Sequence, residues 1–188
     1  MTAFADKLSV LALCCGLSLA ACDGSGDGET AGEAETGTET EAGETGEPSV
    51  DAEAVAAAAI DYGSFEQINA VAAASQHGLA DTVNIWVPSE YAGMYRSVDP
   101  GDPNATASFP AGALIVKEHL NANAEPVGLT IMFKGPAGYD AEHGDWWWAN
   151  ASLDGELNDQ GAVGYCIGCH TPRADADWVF GVAPDLQG

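Results

Sequence analysis

Short runs of apolar, β-branched and aromatic residues, bounded by turn-forming residues, recur along the chain and locate strands before anything else is considered. Ala113-Leu-Ile-Val-Lys-Glu-His-Leu120 reads as a strand, Asn121 to Gly128 as its turn, and Leu129-Thr-Ile-Met-Phe-Lys134 as an antiparallel partner. Alternation places Ala113, Ile115, Lys117 and His119 on one face of the first strand, with Leu114, Val116, Glu118 and Leu120 on the other. Thr82 to Val87 is β-branched and aromatic enough for another strand, stopped by Pro88, after which Ser89 caps a short helix to about Arg96. A further strand runs from about Asp145 to Ser152, after a loop over Gly135 to Gly144; its Trp146, Trp147 and Trp148 put two indoles on one face and one on the other. Asp99 to Pro110 holds three prolines with Asp, Gly and Asn, and is a loop.

The pattern lengthens towards the N-terminal side of these strands. Asp51 to Tyr62 is Ala-rich and ends at Gly63, and Ser64-Phe-Glu-Gln67 has the form of a capping box opening a second helix that stops near Gly78. Two short helices, then an antiparallel meander, then a C-terminal helix make the fold class α+β.

Residues 8 to 21 are apolar, too short to span a bilayer and of the right length for the core of an export signal. That run ends on Leu19-Ala20-Ala21-Cys22, which resembles a bacterial lipobox, so residues 1–21 are expected to leave as a lipoprotein signal peptide. Cys22 would then be the lipidated mature N-terminus, anchoring the chain to a bacterial membrane on its periplasmic or cell-surface side; ordinary signal cleavage nearby is the alternative. Residues 22–48 carry nine acidic side chains with no aromatic, Lys or Arg, a composition that cannot bury enough surface to order itself and reads as an extended tether. Residues 49–188 are a normal length for one domain. Its 19 acidic against four basic residues exclude nucleic acid, and exclude charge-driven docking on anionic lipid. An acidic surface suits a basic redox partner, and equally serves solubility alone.

The chemistry concentrates in Tyr165-Cys166-Ile167-Gly168-Cys169-His170. Two thiols three apart, with an imidazole beside the second, form the attachment signature of haem c: Cys166 and Cys169 reach two vinyl groups of one porphyrin, and His170 faces the iron as axial ligand. A structural disulfide, a redox pair and half a zinc site are the alternatives. A zinc site would need four ligands, and no second such cysteine pair joins His77, His119 or His143 to complete one. Arg173 could pair with a haem propionate through its planar fork. Met132 could be a sixth iron ligand or core filling. Asp177 reads as a helix cap before Trp178, or as a group that supports His170.

Phe109-Pro-Ala-Gly-Ala-Leu-Ile-Val-Lys-Glu118, Met132-Phe-Lys134, Gly138-Tyr-Asp140, Gly144-Asp-Trp146, the cysteine motif and Asp177-Trp-Val-Phe180 together resemble the cytochrome P-460 family, which includes the c′-beta cytochromes. The resemblance covers roughly Val83 to Val182. It implies a β-rich haem domain, commonly a homodimer, with a five-coordinate iron and a sheet-lined distal pocket. Enzymatic members oxidise hydroxylamine or related nitrogen compounds, and c′-beta members bind nitric oxide and similar gases. Lys117 falls on the position where the enzymatic members join a lysine to the haem macrocycle. Read alone it is a snorkelling or paired lysine; with the resemblance it becomes a haem-facing one. Thr130 stands where the enzymatic members carry a distal carboxylate, a departure that puts proton transfer by that route in question. A simple electron carrier is the third reading.

Overall fold

The computed structural model describes residues 46–76 and 78–188. The leader, Cys22, most of the tether and His77 lie outside the described residues. Helix α1 (Ala52–Ala59) starts where Asp51 accepts from the Ala54 N–H at 3.0 Å, satisfying one of the unpaired amides of the first turn. Strands follow as β1 (Glu66–Gln67), β2 (Ala73–Ala74) and β3 (Thr82–Val87), then helix α2 (Ser89–Ser97). The meander comprises β4 (Leu114–Leu120), β5 (Pro126–Lys134), β6 (Trp146–Ala151) and β7 (Leu157–Gly161), and α3 (Gly164–His170) closes the order. All the pairings are antiparallel, in the order β1-β3-β4-β5-β6-β7, with β2 also pairing β3. The fold is α+β, as the periodicity implied.

The alternation of β4 sorts the core into two layers. Ala113 and Ile115 pack on one face with Met132, Trp146 and Trp148, under Tyr95, Val98, Phe109, Val163, Trp178 and Val179. Leu114 and Val116 pack on the other with Leu129, Ile131, Trp147 and Ala149, under Val55 and Ala59 of α1. Trp146 and Trp148 therefore share a face and Trp147 lies opposite, all three almost fully buried.

The helix expected from Ser64 to Gly78 does not form. Ser64 Oγ donates back to the Asp61 carbonyl at 2.8 Å and to its carboxylate at 3.1 Å, closing a 3₁₀ turn over Tyr62–Ser64 instead of opening a helix, and Phe65 is extended. The Ala-rich segment then lies along β3 as two short strands. Asn69, 2% exposed, holds it there: its amide accepts from Ile85 N–H at 2.7 Å and donates to the carbonyls of Val83 at 3.1 Å and Val71 at 2.8 Å. Sheet edges opposite a buried amide outweigh the intrinsic helical preference of alanine. Strand β7 was not anticipated from its pattern, because Leu157-Asn-Asp-Gln-Gly161 is polar at every position but the first. The C-terminal segment crosses so close to α2 that a Cβ on Gly181 would fall 1.9 Å from the Val98 carbonyl oxygen, at a φ of +72° that only glycine adopts without strain.

Asn69→Ala removes the side-chain bonds to β3 and to Val71, and takes away the acceptor of the Ile85 N–H on β3. We expect a loss of about 2–4 kcal/mol of unfolding free energy, read from urea denaturation at unchanged m.

Candidate cofactor site

Helix α3 is short, entered through the extended Val163 and continued beyond His170 by a 3₁₀ turn over Thr171–Ala176 with Pro172 near its start. One helical turn separates Cys166 from Cys169, which places both sulfurs on one side of the helix. Both are free thiols; Cys166 is half-buried against the core and Cys169 is exposed. Burial pushes the Cys166 thiol up to about 11, against a smaller opposite pull from Lys117. The Lys117 amine is in turn lowered by burial and raised again by Cys169 and Cys166, so each group feels the other's charge. Lys117 keeps some accessible surface, yet protein packs round it closely enough for desolvation to dominate. Lys117 lies on the same face of β4 as Ile115, whose buried cluster Cys166 packs against.

His170 is 8% exposed. Its ring packs edge-on against Trp148 at 4.8 Å between centroids and against Phe180 at 5.0 Å. Nδ1 lies 2.6 Å from the Trp178 carbonyl oxygen. A carbonyl only accepts, so Nδ1 carries the proton, and Nε2 is the nitrogen suited to a metal.

The Trp178 carbonyl is held in place by its neighbour. Asp177 and Trp178 have φ of 51° and 64°, two consecutive side-chain-bearing residues in the left-handed region. Asp177 stabilises that turn with four contacts. Oδ1 accepts from Lys134 Nζ at 2.5 Å and Trp146 Nε1 at 3.2 Å, Oδ2 accepts from the Phe109 N–H at 2.6 Å, and the Asp177 carbonyl accepts from Trp146 Nε1 at 2.9 Å. Lys134 Nζ also sits 4.9 Å over the Trp146 ring. Asp177 is thus no helix N-cap: it ends the preceding 3₁₀ turn and fixes the turn that presents an acceptor to His170. In the sequence Lys134 stands out only as the end of the Met132-Phe-Lys134 motif, with no role attached to it.

Two donors near His170 have no protein partner. Arg173 Nε reaches the Val179 carbonyl at 3.4 Å, but its Nη2 is buried without an acceptor, and so is Trp148 Nε1. Buried donors of this kind are rare and call for an anion or other acceptor. Paired thiols, an imidazole whose Nδ1 is turned to a carbonyl, and orphaned donors fit a porphyrin with its carboxylate side chains. The remaining candidates fall elsewhere. Met132 is buried core opposite Ile115 and Trp148. His143 Nδ1 lies 2.9 Å from the Asp140 carboxylate, its ring against Trp178. His119, 2% exposed, is 3.2 Å from Thr130 Oγ1 through Nε2. Among the described residues no group of three or more His, Cys, Asp or Glu could hold a metal ion by itself, and no helix is long and apolar enough to cross a membrane.

The Cytochrome P460 family matches the chain over residues 61–181. That is more than half of its length, and the chain belongs to the cytochrome P460 family, a family of haem proteins. Neither curated proteins nor solved structures yield a match.

Removing one partner of the Lys134–Asp177 pair leaves an uncompensated charge where both side chains are largely buried. Lys134→Met is expected to cost about 3–5 kcal/mol of stability, with Lys134→Arg restoring most of it; chemical denaturation of the two variants checks both.

Proposed function

We propose that this member of the cytochrome P460 family is an exported haem c protein that oxidises hydroxylamine or a related small nitrogen compound and passes the electrons to a partner. One observation carries the reading. Two reduced thiols stand one helical turn apart beside His170, whose Nδ1 is committed to a carbonyl, and Lys117 lies on the face of β4 whose buried cluster Cys166 packs against. Attachment adds each S–H across a vinyl double bond, forming a C–S bond and delivering the proton to the other vinyl carbon, so no oxidant is consumed. His170 Nε2 would hold the iron, and the Trp178 carbonyl, which accepts from Nδ1, orients the ring and raises its basicity as a donor. Arg173 Nη2 and Trp148 Nε1 suit the propionates. The haem, when bound, supplies an iron that exchanges electrons and holds a small ligand at its open position.

Lys117 is suited to a covalent bond with the macrocycle. Desolvation favours its neutral, nucleophilic amine. Replacing a macrocycle C–H and an amine N–H by a C–N bond removes two electrons and two protons, so that step requires an oxidant of the peroxide class during maturation. The c′-beta reading, a cytochrome that binds nitric oxide without turnover, draws support from Thr130, a hydroxyl and not a carboxylate directly across the strands from Lys117. Nitrite or nitrous oxide formed from hydroxylamine with an artificial electron acceptor supports the enzyme; tight nitric oxide binding without such products supports the gas carrier.

The lipobox-like ending of residues 8–21 supports a lipid anchor at Cys22 on the periplasmic or cell-surface side of a bacterial membrane. The 19 acidic residues of the domain favour a basic redox partner.

Haem should stay with the polypeptide in acid acetone, and be stripped from the Cys166→Ala, Cys169→Ala protein. Peptide mass analysis should recover the Lys117 peptide joined through haem to the Cys166–Cys169 peptide, and Lys117→Leu should give an ordinary haem c spectrum with both thioethers kept. A free Lys117 peptide in full yield decides for the gas-binding reading. Separately, full-length protein should enter the detergent phase on Triton X-114 partitioning and Cys22→Ala should not; a Cys22→Ala protein that still partitions there rules the anchor out.

A further inference from the structure

On the side of the sheet covered by α1, away from the layer that Cys166 packs against, Tyr62, Trp86 and Glu118 form a cluster that the cofactor chemistry leaves unused. Strand pairing sets Asn84 opposite Glu118 and Trp86 opposite Val116, so Trp86 and Glu118 are diagonal neighbours on one face. Tyr62 reaches that face from the 3₁₀ turn beyond α1. Its hydroxyl donates to Glu118 Oε1 at 2.8 Å, while Trp86 Nε1 and Asn84 Nδ2 donate to Oε2 at 3.2 and 2.8 Å. The carboxyl group is met only by hydrogens, which suits an acceptor-only carboxylate. The Tyr62 and Trp86 rings lie 5.6 Å apart between centroids, tilted by 59°. Among the described residues no other tyrosine packs its ring on a tryptophan.

We propose that Tyr62, Trp86 and Glu118 form a one-electron redox site: an oxidising equivalent received by Trp86 moves to Tyr62 as Glu118 takes the phenolic proton, and a phenol or thiol from solution then reduces Tyr62.

One carboxylate serves both proton transfers. A one-electron oxidant of the radical class takes an electron from the Trp86 indole and is itself reduced, and the Nε1 proton shifts to Oε2. Tyr62 next gives an electron to the indolyl radical; its hydroxyl proton passes to Oε1 as Oε2 returns the first proton to Nε1. Trp86 is restored, Tyr62 is a neutral phenoxyl radical, and Glu118 is a neutral acid. An electron from the phenol or thiol and the proton held by Glu118 then rebuild the hydroxyl and the carboxylate, and the donor releases its own proton to water. Burial, with the adjoining carboxylate, pushes the Tyr62 hydroxyl up to about 12, so the phenolate is not populated near neutrality and electron and proton leave together. Tyr62 keeps part of its surface in water whereas Glu118 is 7% exposed, so a reductant meets the phenol and not the acid. The site does not depend on how the cofactor is held.

Azidyl radical made by pulse radiolysis in azide solution is the probe, because it oxidises indoles directly and asks nothing of the cofactor. In the protein as isolated, indolyl absorbance should decay while phenoxyl absorbance grows at a matched rate. Tyr62→Phe should abolish that matched phase, with Trp86 and Asn84 still satisfying the carboxylate. Tyr165→Phe is the control: its hydroxyl donates to Asp159 at 3.1 Å but no indole lies against its ring, so the phase should persist. Glu118→Gln removes the base at nearly constant size, and phenoxyl growth should slow about 100-fold, the low end of what a general base contributes. Heavy water supplies a measurement that needs no variant, because wild-type conversion should slow in it when the proton moves with the electron. A Tyr62→Phe protein with a native circular dichroism spectrum that converts at the wild-type rate overturns the proposal. So does a wild-type conversion that heavy water leaves unchanged.

Discussion

The bond between Lys134 and Asp177 is the contact on which the cofactor end of the molecule depends. It joins the last residue of β5 to a turn 43 residues later, with both side chains nearly sealed from water. An ion pair in that setting is stable only when every remaining lone pair and proton is satisfied. Here Trp146 Nε1 and the Phe109 amide complete the carboxylate, and the Trp146 ring lies beneath the ammonium. What the pair secures is local and costly: two successive left-handed residues that would relax without it. Their conformation aims the Trp178 carbonyl at His170. The orientation of the imidazole is therefore set from the sheet, through one carboxylate, and not by the short helix that carries it.

Strand alternation does the complementary work of separating charges that are neighbours in sequence. Lys117 and Glu118 point to opposite faces of β4. Lys117 enters the layer that holds the thiols; Glu118, 7% exposed, enters the layer beneath α1, where Tyr62, Asn84 and Trp86 donate to it at 2.8, 2.8 and 3.2 Å. Three neutral donors satisfy the carboxylate without a cation, and its charge together with burial pushes the Tyr62 hydroxyl up to about 12. Were the register of β4 to slip by one residue, the carboxylate would face the sulfurs and the amine would lie under α1. The buried Glu118 cage fixes the register and so fixes which residue enters the layer that Cys166 packs against.

These relations were unequally visible in the sequence. The two-residue period of Ala113–Leu120 and of the tryptophan run specified faces correctly, because a half-buried strand leaves no other arrangement for its apolar set. The cysteine motif and the adjacent histidine were legible for the same reason: spacing within one helical turn is local. Ser64-Phe-Glu-Gln67 misled, since a hydroxyl that could cap a following helix closes the preceding turn when Asp61 lies within reach. Asp177 was read as a cap because its partner is on a distant strand, and no local pattern announces a lysine 43 residues away. Strand β7 pairs through its backbone while showing a polar exterior, so its side chains carried no signal. Apart from the local Ser64–Asp61 turn, the misses are the features decided by long-range contacts.

The distribution of positive charge follows from the same economy. The domain has four basic side chains, and three of them, Lys117, Lys134 and Arg173, stand at the cofactor face; Arg96 binds Glu66 at 2.6 Å. Almost none of the 19 acidic groups is compensated at the surface. Of the three basic groups at the cofactor face, Lys134 is neutralised by Asp177 and burial disfavours the charge on Lys117, so Arg173, whose Nη2 is buried without an acceptor, is the cation left to hold a buried carboxylate. Exposed charges act over roughly a Debye length, about 8 Å at physiological salt, so the acidic shell governs approach. A small neutral molecule crosses that shell without electrostatic cost and an anion does not.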